Sequence, residues 1–217
     1  MVDCGVLSSA PATIAVLASG SGSNFESLVL AARNGELGGE IAVLLCDHPS
    51  APVLERARRL GIDALCPPAG RFRTRLEDER PWLEAMYARA VGTVLLAGFM
   101  RRLHGTLLVA FPDRILNLHP SLLPAFPGLE AIRCAWEHGV RVTGCTVHLV
   151  TADVDGGPIL AQSAVDVREG ESLASLEARI HEAEHELYPA TVRRYLSQPW
   201  RREGRRFVFG TAENAHA

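Results

Sequence analysis

Two polar side chains, Asn117 and His119, stand at the end of an apolar run in the segment ILNLHPSLLPAFPG (115–128). Side chains at alternate positions of a strand project from the same face, so the amide and the imidazole are expected to lie side by side. The amide donates hydrogen bonds, and a protonated imidazole supplies a positive charge and a proton. We interpret the pair as donors for an oxyanion, with the prolines that follow as a rigid substrate wall.

A carboxylate, Asp155, stands in the glycine turn DVDGGP (153–158) after a further apolar run. A carboxylate beside an imidazole favours the protonated ring, which gives a proton carrier and a cation for a developing oxyanion. No serine or cysteine nucleophile is evident beside His119. The trio of Asn117, His119 and Asp155 therefore indicates direct attack by a substrate amine on an acyl donor, without a covalent acyl-enzyme.

The segment LASGSGSN (17–24) follows the first long apolar run and opens a helical pattern. Gly22 lets the backbone approach a ligand closely, and Ser23 and Asn24 add donors at a helix N-terminus, which predicts a phosphate site. A nicotinamide dinucleotide with Asp47 on its ribose is an alternative, although Phe25 replaces the third glycine of that fingerprint. A tight turn without a ligand is a third interpretation.

Residues 181–185 spell HEAEH, which matches the H-E-x-x-H pattern of zinc hydrolases. At this spacing two imidazoles share one face of a helix and could hold zinc, with Glu182 as general base. The sequence downstream offers no obvious third ligand. The alternative is a helix whose polar residues face solvent or substrate, and on this interpretation the protein requires no metal.

Composition excludes several classes of protein. The net charge of −3 and pI near 6.2 predict no binding to nucleic acid or anionic membranes, and the arginine-dense segment WRREGRR (200–206) is expected to be a solvated tail. All 22 lysine-plus-arginine residues are arginines, which excludes a Walker lysine and a Schiff-base lysine. Five scattered cysteines and the lack of a long apolar stretch predict a cytoplasmic protein with reduced thiols.

Short apolar runs alternate with helix-length amphipathic segments, which predicts an α/β fold. The runs are expected to be strands at 13–19, 40–47, 63–68, 92–98, 114–120, 143–150 and 159–167, and the helices to lie at 24–33, 51–60, 76–90, 129–138 and 172–197. Helical crossovers imply a mainly parallel, twisted, Rossmann-like sheet with helices on both faces, and the DVDGGP turn implies an antiparallel pair near the C-terminal part. We predict a single domain at 13–200, a disordered extension at 1–12 and a tail at 201–217.

Five separated motifs carry a resemblance to a known family. LASGSGSN, LAGFMRRL, NLHPSLLPAFPG, VHLVTADVDGGPILAQ and EHELYP occur in the order and spacing of the folate-dependent phosphoribosylglycinamide formyltransferases, over roughly residues 12–197. Related formyltransferases and formyltetrahydrofolate hydrolases carry additional domains, which are not expected here. A hydrolase of formyltetrahydrofolate remains the alternative, ahead of a nicotinamide-dependent oxidoreductase or a zinc hydrolase.

The resemblance implies transfer of the formyl group of 10-formyltetrahydrofolate to the amine of glycinamide ribonucleotide, in purine biosynthesis, by a monomer or homodimer. It assigns the ribonucleotide phosphate to Gly22, Ser23 and Asn24, the ribose to Glu184, catalysis to Asn117, His119 and Asp155, and the wall of the pterin pocket to residues 151–155. The folate positions are Arg75, Met100, Arg101, Arg102, Leu103 and Asn117. The chain departs from the family pattern at Ala152 and His181.

Overall fold

The computed structural model describes residues 3–4 and 11–210. Its strands are β1 (Asp3–Cys4), β2 (Ala12–Ala18), β3 (Gly39–Cys46), β4 (Ala64–Leu65), β5 (Thr93–Leu96), β6 (Ile115–His119), β7 (Val142–Leu149), β8 (Ile159–Asp166), β9 (Trp200–Glu203) and β10 (Arg206–Phe209). Its helices are α1 (Ser23–Arg33), α2 (Pro52–Arg59), α3 (Arg80–Tyr87), α4 (Gly105–Ala110), α5 (Ala131–His138) and α6 (Leu173–Ser197).

All the strands join one sheet in the order β1-β9-β10-β8-β7-β6-β5-β2-β3-β4. Strands β2 to β6 run parallel to one another, whereas β7 is antiparallel to both β6 and β8. The predicted α/β class and the antiparallel pair β7–β8 are confirmed. The chain winds from β2 outward to β4 and then resumes with β5 on the other side of β2, so the strand order reverses between β2 and β5. Ligands of open α/β sheets bind outside the carboxyl ends of strands at such a reversal.

Strand β2 shows why the apolar runs lack polar interruptions. Ile14, Val16 and Ala18 pack against the face covered by α1, α2 and α6, whereas Ala15 and Leu17 pack against the face covered by α3 and α4. Successive side chains of a strand point to opposite faces, and both faces are buried here. The sheet is therefore a rigid middle layer, and its strand ends are the natural place for a site.

Helix α6 binds directly to the strands that carry the site. Tyr188 is fully buried, and its hydroxyl lies 3.1 Å from the carbonyl oxygen of Leu96 and 3.0 Å from that of Leu116. A phenol has one proton to donate, so it shares that proton between the ends of β5 and β6. This contact fixes the two strand ends relative to each other immediately before Asn117.

A proline inside α6 explains a second contact, between α6 and α1. Pro189 has no N–H, so the carbonyl of His185, four residues earlier, loses its helical hydrogen bond. The hydroxyl of Ser27 in α1 donates to this carbonyl at 3.0 Å. The break in the helical ladder is therefore repaired by a neighbouring helix, and α1 is tied to α6.

Three segments differ from the sequence prediction. The strand predicted at 63–68 is only two residues long. The helix predicted from residue 76 begins at Arg80. Glu79, just before it, is buried, and its carboxylate accepts hydrogen bonds from the backbone N–H groups of His104 and Leu107. That carboxylate satisfies free N–H groups at the start of α4, a helix that was not predicted.

The chain ends also differ in part from the prediction. The expected tail begins with a hairpin, β9 and β10, that joins the sheet and packs Trp200 on Tyr195 at 5.4 Å between ring centroids. The predicted extension at 1–12 lies mostly outside the described residues, and within it Asp3–Cys4 pairs with β9. No helix in the described part of the chain is long and apolar enough to cross a membrane.

We predict that Tyr188→Phe lowers the free energy of unfolding by about 1–3 kcal/mol, because two strand-end carbonyls lose their shared buried donor. Tyr87→Phe is the control, since that side chain is 57% exposed. Urea unfolding of both variants measures the difference. Equal stabilities would show that the contact between α6 and the strand ends contributes little.

Candidate active site

A cavity of about 720 Å³ opens at the carboxyl ends of β5 and β6, beside the reversal of strand order. Its lining includes the predicted catalytic trio, all the predicted folate positions and two residues of the predicted ribonucleotide site. These residues are Asn117, His119 and Asp155; Arg75, Met100, Arg101, Arg102 and Leu103; and Asn24 and Glu184. Residues from distant parts of the sequence therefore meet in a single pocket. The pocket lies at the carboxyl ends of the parallel strands, where open α/β sheets bind their ligands.

The imidazole of His119 is buried and has a hydrogen-bond acceptor near each ring nitrogen. Nε2 lies 2.9 Å from the carbonyl oxygen of Phe126, and Nδ1 lies 3.4 Å from Oδ2 of Asp155. A carbonyl and a carboxylate can only accept hydrogen bonds, so the two contacts hold the ring in one orientation beside the cavity.

Asp155 lies in the turn between β7 and β8 with a positive φ of 50°. Its Oδ2 accepts a hydrogen bond from the N–H of Gly128 at 2.7 Å. Burial by itself would raise the pKa of this carboxyl, but the adjacent ring of His148, the hydrogen bond from Gly128 and the charge of His119 hold the pKa below its ordinary value. Asp155 is therefore ionised at neutral pH.

A fourth polar residue, His148, completes the group and was missed in the sequence analysis. Its Nε2 lies 3.0 Å from Nδ2 of Asn117 and 3.7 Å from Oδ1 of Asp155, and its Nδ1 lies 2.8 Å from the carbonyl oxygen of Leu149. The antiparallel register pairs His148 directly with Asn117. His148 therefore orients the amide and contacts the carboxylate of the trio.

The predicted phosphate residues lie around the N-terminus of α1. Gly22 precedes the helix with a left-handed φ of 79°, and no side chain caps the first turn. The first backbone N–H groups of α1 therefore have no partner within the helix. Asn24 lines the main cavity, whereas Ser23 lines a neighbouring groove between α1 and α6. The Nδ2 atom of Asn24 donates to Oε2 of Glu184 at 2.8 Å, so this amide is engaged with the predicted ribose residue.

The glycine at position 22 also has a packing role that the sequence did not reveal. A Cβ atom there would lie 2.4 Å from Cγ2 of Val53, the residue whose N–H binds the carbonyl of Gly20. A Cβ atom added at Gly20 would have no other atom within 4 Å. The loop thus needs Gly22 both for its left-handed backbone and for contact with α2.

The predicted folate positions border the opposite end of the cavity. Met100 is half exposed, and Arg75 forms a short backbone bridge with Arg102. The guanidinium of Arg101 is bound within the protein: its Nε lies 2.6 Å from Oδ2 of Asp47, and its Nη1 donates to the carbonyl of Phe72. The guanidinium of Arg101 therefore joins this loop to one oxygen of Asp47, the carboxylate that the dinucleotide alternative requires.

The HEAEH segment lies on α6 as predicted, but its two imidazoles have different surroundings. His181 lines the cavity and its Nδ1 lies 2.8 Å from Oε2 of Glu184, whereas His185 lines the neighbouring groove. Within residues 11–210, no group of three His, Cys, Asp or Glu side chains is placed to hold a metal ion. The third ligand that a zinc site of this type needs is not found in that part of the chain.

Comparison with known proteins gives a consistent result. The family model described as Formyl transferase matches residues 12–192. The chain is 41% identical over 182 residues to phosphoribosylglycinamide formyltransferase of Bacillus subtilis, a match that covers 84% of this chain and 93% of that protein. It is 38% identical over 181 residues to the human trifunctional purine biosynthetic protein adenosine-3, and covers 18% of that longer protein.

A solved structure shows the same arrangement of the backbone. Glycinamide ribonucleotide transformylase 1 from Symbiobacterium toebii superposes with a TM-score of 0.87 at 47% sequence identity. The match covers 93% of this chain and 95% of that one. The chain therefore has the fold of that solved transformylase.

We predict that Gly22→Ala lowers the free energy of unfolding by roughly 1–3 kcal/mol, because the added methyl group meets Val53 and the backbone is left-handed. The matched variant Gly20→Ala should change stability by less than about 0.5 kcal/mol, since its methyl group enters open space. Urea unfolding compares the two. A stable Gly22→Ala variant would contradict the packing role.

Proposed function

The chain belongs to the formyl transferase family, and we propose that it transfers the formyl group of 10-formyltetrahydrofolate to the amine of glycinamide ribonucleotide, a step of purine biosynthesis. The observation that carries this proposal is the meeting of Asn117, His119 and Asp155 in one cavity of about 720 Å³. The relatives named for this activity match nearly the full length of the described chain. The enzyme is a folate-dependent formyltransferase.

The proposed reaction begins with attack of the ribonucleotide amine on the formyl carbon. A new C–N bond forms, and the carbonyl oxygen becomes a tetrahedral oxyanion. The Nδ2 amide of Asn117, which His148 orients, donates to that oxygen, and the ring of His119, held in place by Phe126 and Asp155, supplies positive charge beside it. Donors fixed before the reaction stabilise the transition state without a cost of reorganisation.

The intermediate then collapses with breakage of the bond between the formyl carbon and the folate nitrogen. A proton must leave the attacking amine, and one must reach the leaving nitrogen. His119 is the proton carrier at this position, and the ionised Asp155 at 3.4 Å stabilises its charged form. Holding the two substrates in line in a single cavity supplies a further large part of the acceleration.

The alternative function is hydrolysis of 10-formyltetrahydrofolate, in which water replaces the amine. The same oxyanion donors would serve both reactions, so the acceptor must be tested directly. We expect tetrahydrofolate to accumulate only when glycinamide ribonucleotide is present, as measured by chromatography of the purified enzyme's products. Equal release in water alone would identify a hydrolase.

Several further properties are expectations that follow from this function. The substrates are small molecules, the protein acts in the cytoplasm with its cysteines reduced, and it is a monomer or a homodimer. The chemistry as written uses only side chains and requires no metal ion. Activity should therefore persist in a chelator, whereas a loss restored by zinc would support the HEAEH alternative.

We predict that Asn117→Ala lowers turnover by about a hundred- to a thousandfold, because one oxyanion donor is removed. Substrate dissociation constants should change much less, since the oxyanion exists only in the transition state. Asn34→Ala is the matched control, as Asn34 is exposed at the end of α1. Steady-state kinetics and calorimetry distinguish the two effects, and a loss confined to binding would exclude the assigned role.

A further inference from the structure

Two cysteines lie side by side at the carboxyl ends of β3 and β4. The parallel register pairs Leu45 with Leu65, so the next position of each strand brings Cys46 beside Cys66. Partners in register on adjacent strands project to the same face of a sheet. The two thiols are also close enough for each to shift the pKa of the other. Cys46 and Cys66 are therefore neighbouring side chains, although 20 positions separate them in the sequence.

The spacing of the two strands suits a disulfide. Neighbouring strands lie about 4.8 Å apart, and the Cα atoms of a disulfide are usually roughly 4.4–6.8 Å apart. Both cysteines are free thiols in this structure. Strand β4 is two residues long and lies at the edge of the sheet, beside β3. A short edge strand moves easily, so the bond requires only a local adjustment of the backbone.

The two thiols differ in their access to solvent. Cys46 is fully buried, and its Sγ donates to the carbonyl of His48 at 3.3 Å, whereas Cys66 is exposed. An oxidant in solution therefore reaches Cys66 first. Cys46 is placed to attack the modified Cys66 from within the protein, which is the arrangement of an accessible thiol beside a resolving thiol.

We propose that Cys46 and Cys66 are a site of reversible oxidation, at which a low-molecular-weight disulfide converts the two thiols into an intramolecular disulfide. First, the thiolate of Cys66 attacks one sulfur of glutathione disulfide, so that a mixed disulfide forms and one glutathione leaves. The thiolate of Cys46 then attacks the sulfur of Cys66, and the second glutathione leaves. The two cysteines lose two electrons and two protons, which the two reduced glutathione molecules carry away.

The surroundings of the pair keep it reduced under ordinary conditions. Burial raises the pKa of the Cys46 thiol to about 11 and also raises the pKa of the Cys66 thiol, and the charge of Asp47 adds to both increases. Thiolate is the reactive form, so little of it is present at neutral pH. The exchange is therefore expected to take minutes to hours, and the site responds to sustained oxidation.

The turn after Cys46 connects the pair to the cavity. Asp47 follows directly, and its Oδ2 lies 2.6 Å from Nε of Arg101, a predicted folate position. The carbonyl of His48 accepts hydrogen bonds from the Cys46 thiol and from the N–H of Ala51, just before α2. The disulfide removes the thiol donor and draws Cys46 toward β4. We therefore expect the oxidised protein to bind 10-formyltetrahydrofolate more weakly, a consequence that rests on the proposed function.

The chemical test treats the purified, reduced full chain with an excess of glutathione disulfide. Peptide mapping by mass spectrometry should find Cys46 joined to Cys66, and dithiothreitol should reverse the reaction. Cys46→Ser should instead retain glutathione on Cys66, and Cys66→Ser should form no disulfide at Cys46. Cys134→Ser removes an exposed thiol of α5 and is the matched control, which should form the same linkage as the wild type.

The binding test compares the reduced and oxidised proteins by calorimetric titration with 10-formyltetrahydrofolate. Oxidation should raise the dissociation constant of the wild type and of Cys134→Ser by roughly tenfold, the effect of losing one hydrogen bond to a charged group. Reduction should restore the original value. Cys66→Ser should bind equally well before and after the treatment, because it cannot form the linkage.

The absence of a linkage between Cys46 and Cys66 after prolonged treatment would overturn the proposed site. A linkage that leaves folate affinity unchanged, or an equal loss of affinity in Cys66→Ser, would overturn its connection to Arg101. A failure of the proposed function has a different signature: the reduced protein would not bind 10-formyltetrahydrofolate, whereas the disulfide would still form. The two conclusions are therefore tested separately.

Discussion

The buried carboxylate of Asp155 is the interaction on which the arrangement of the site depends. It lies among the rings of His119 and His148 and the N–H of Gly128, with 12% of its side chain exposed. An ionised carboxylate in such a place is costly unless each partner is held at hydrogen-bonding or ion-pairing distance. The partners come from β6, β7 and the loop before α5. These segments cannot shift independently of the turn that carries Asp155, and a precise oxyanion site is one result of that restriction.

Helix α6 links the ends of the central strands to the proposed ribonucleotide site. Tyr188 binds the carbonyls at the ends of β5 and β6, and Glu184 lies four residues earlier on the same face of the helix. The helix that fixes the ends of the strands at the proposed catalytic residues therefore also carries Glu184, the proposed ribose residue. Pro189 would weaken this helix, but Ser27 of α1 satisfies the carbonyl that the proline leaves free. The proposed sites for both substrates are thus built from elements that share one set of buried contacts.

The sequence predicted what depends on local pattern and failed where the result depends on long-range register. Continuous apolar runs predicted the central strands, and the rule for parallel sheets placed Asn117 and His119 at a pocket. His148 gave no such signal, because it reads as one polar residue inside a buried strand until the antiparallel register sets it beside Asn117. Arg101 was assigned from resemblance alone, and nothing local indicates that it turns toward Asp47, 54 positions away. The hairpin after α6 was hidden by its arginines, which outnumber the aromatic residues that attach it to Tyr195.

The use of arginine as the sole permanent cation has a structural consequence near the site. A guanidinium presents several donors in one plane, so a single side chain can bind a carboxylate and a backbone carbonyl together, which the compact ammonium of lysine does less well. Arg101 joins Asp47 to the carbonyl of Phe72, and Arg56 joins Glu26 to the carbonyl of Ser21. Both arginines therefore stiffen loops at the cavity. Because each of these guanidinium groups is paired with a carboxylate, the same contacts that hold the loops also balance charge within them.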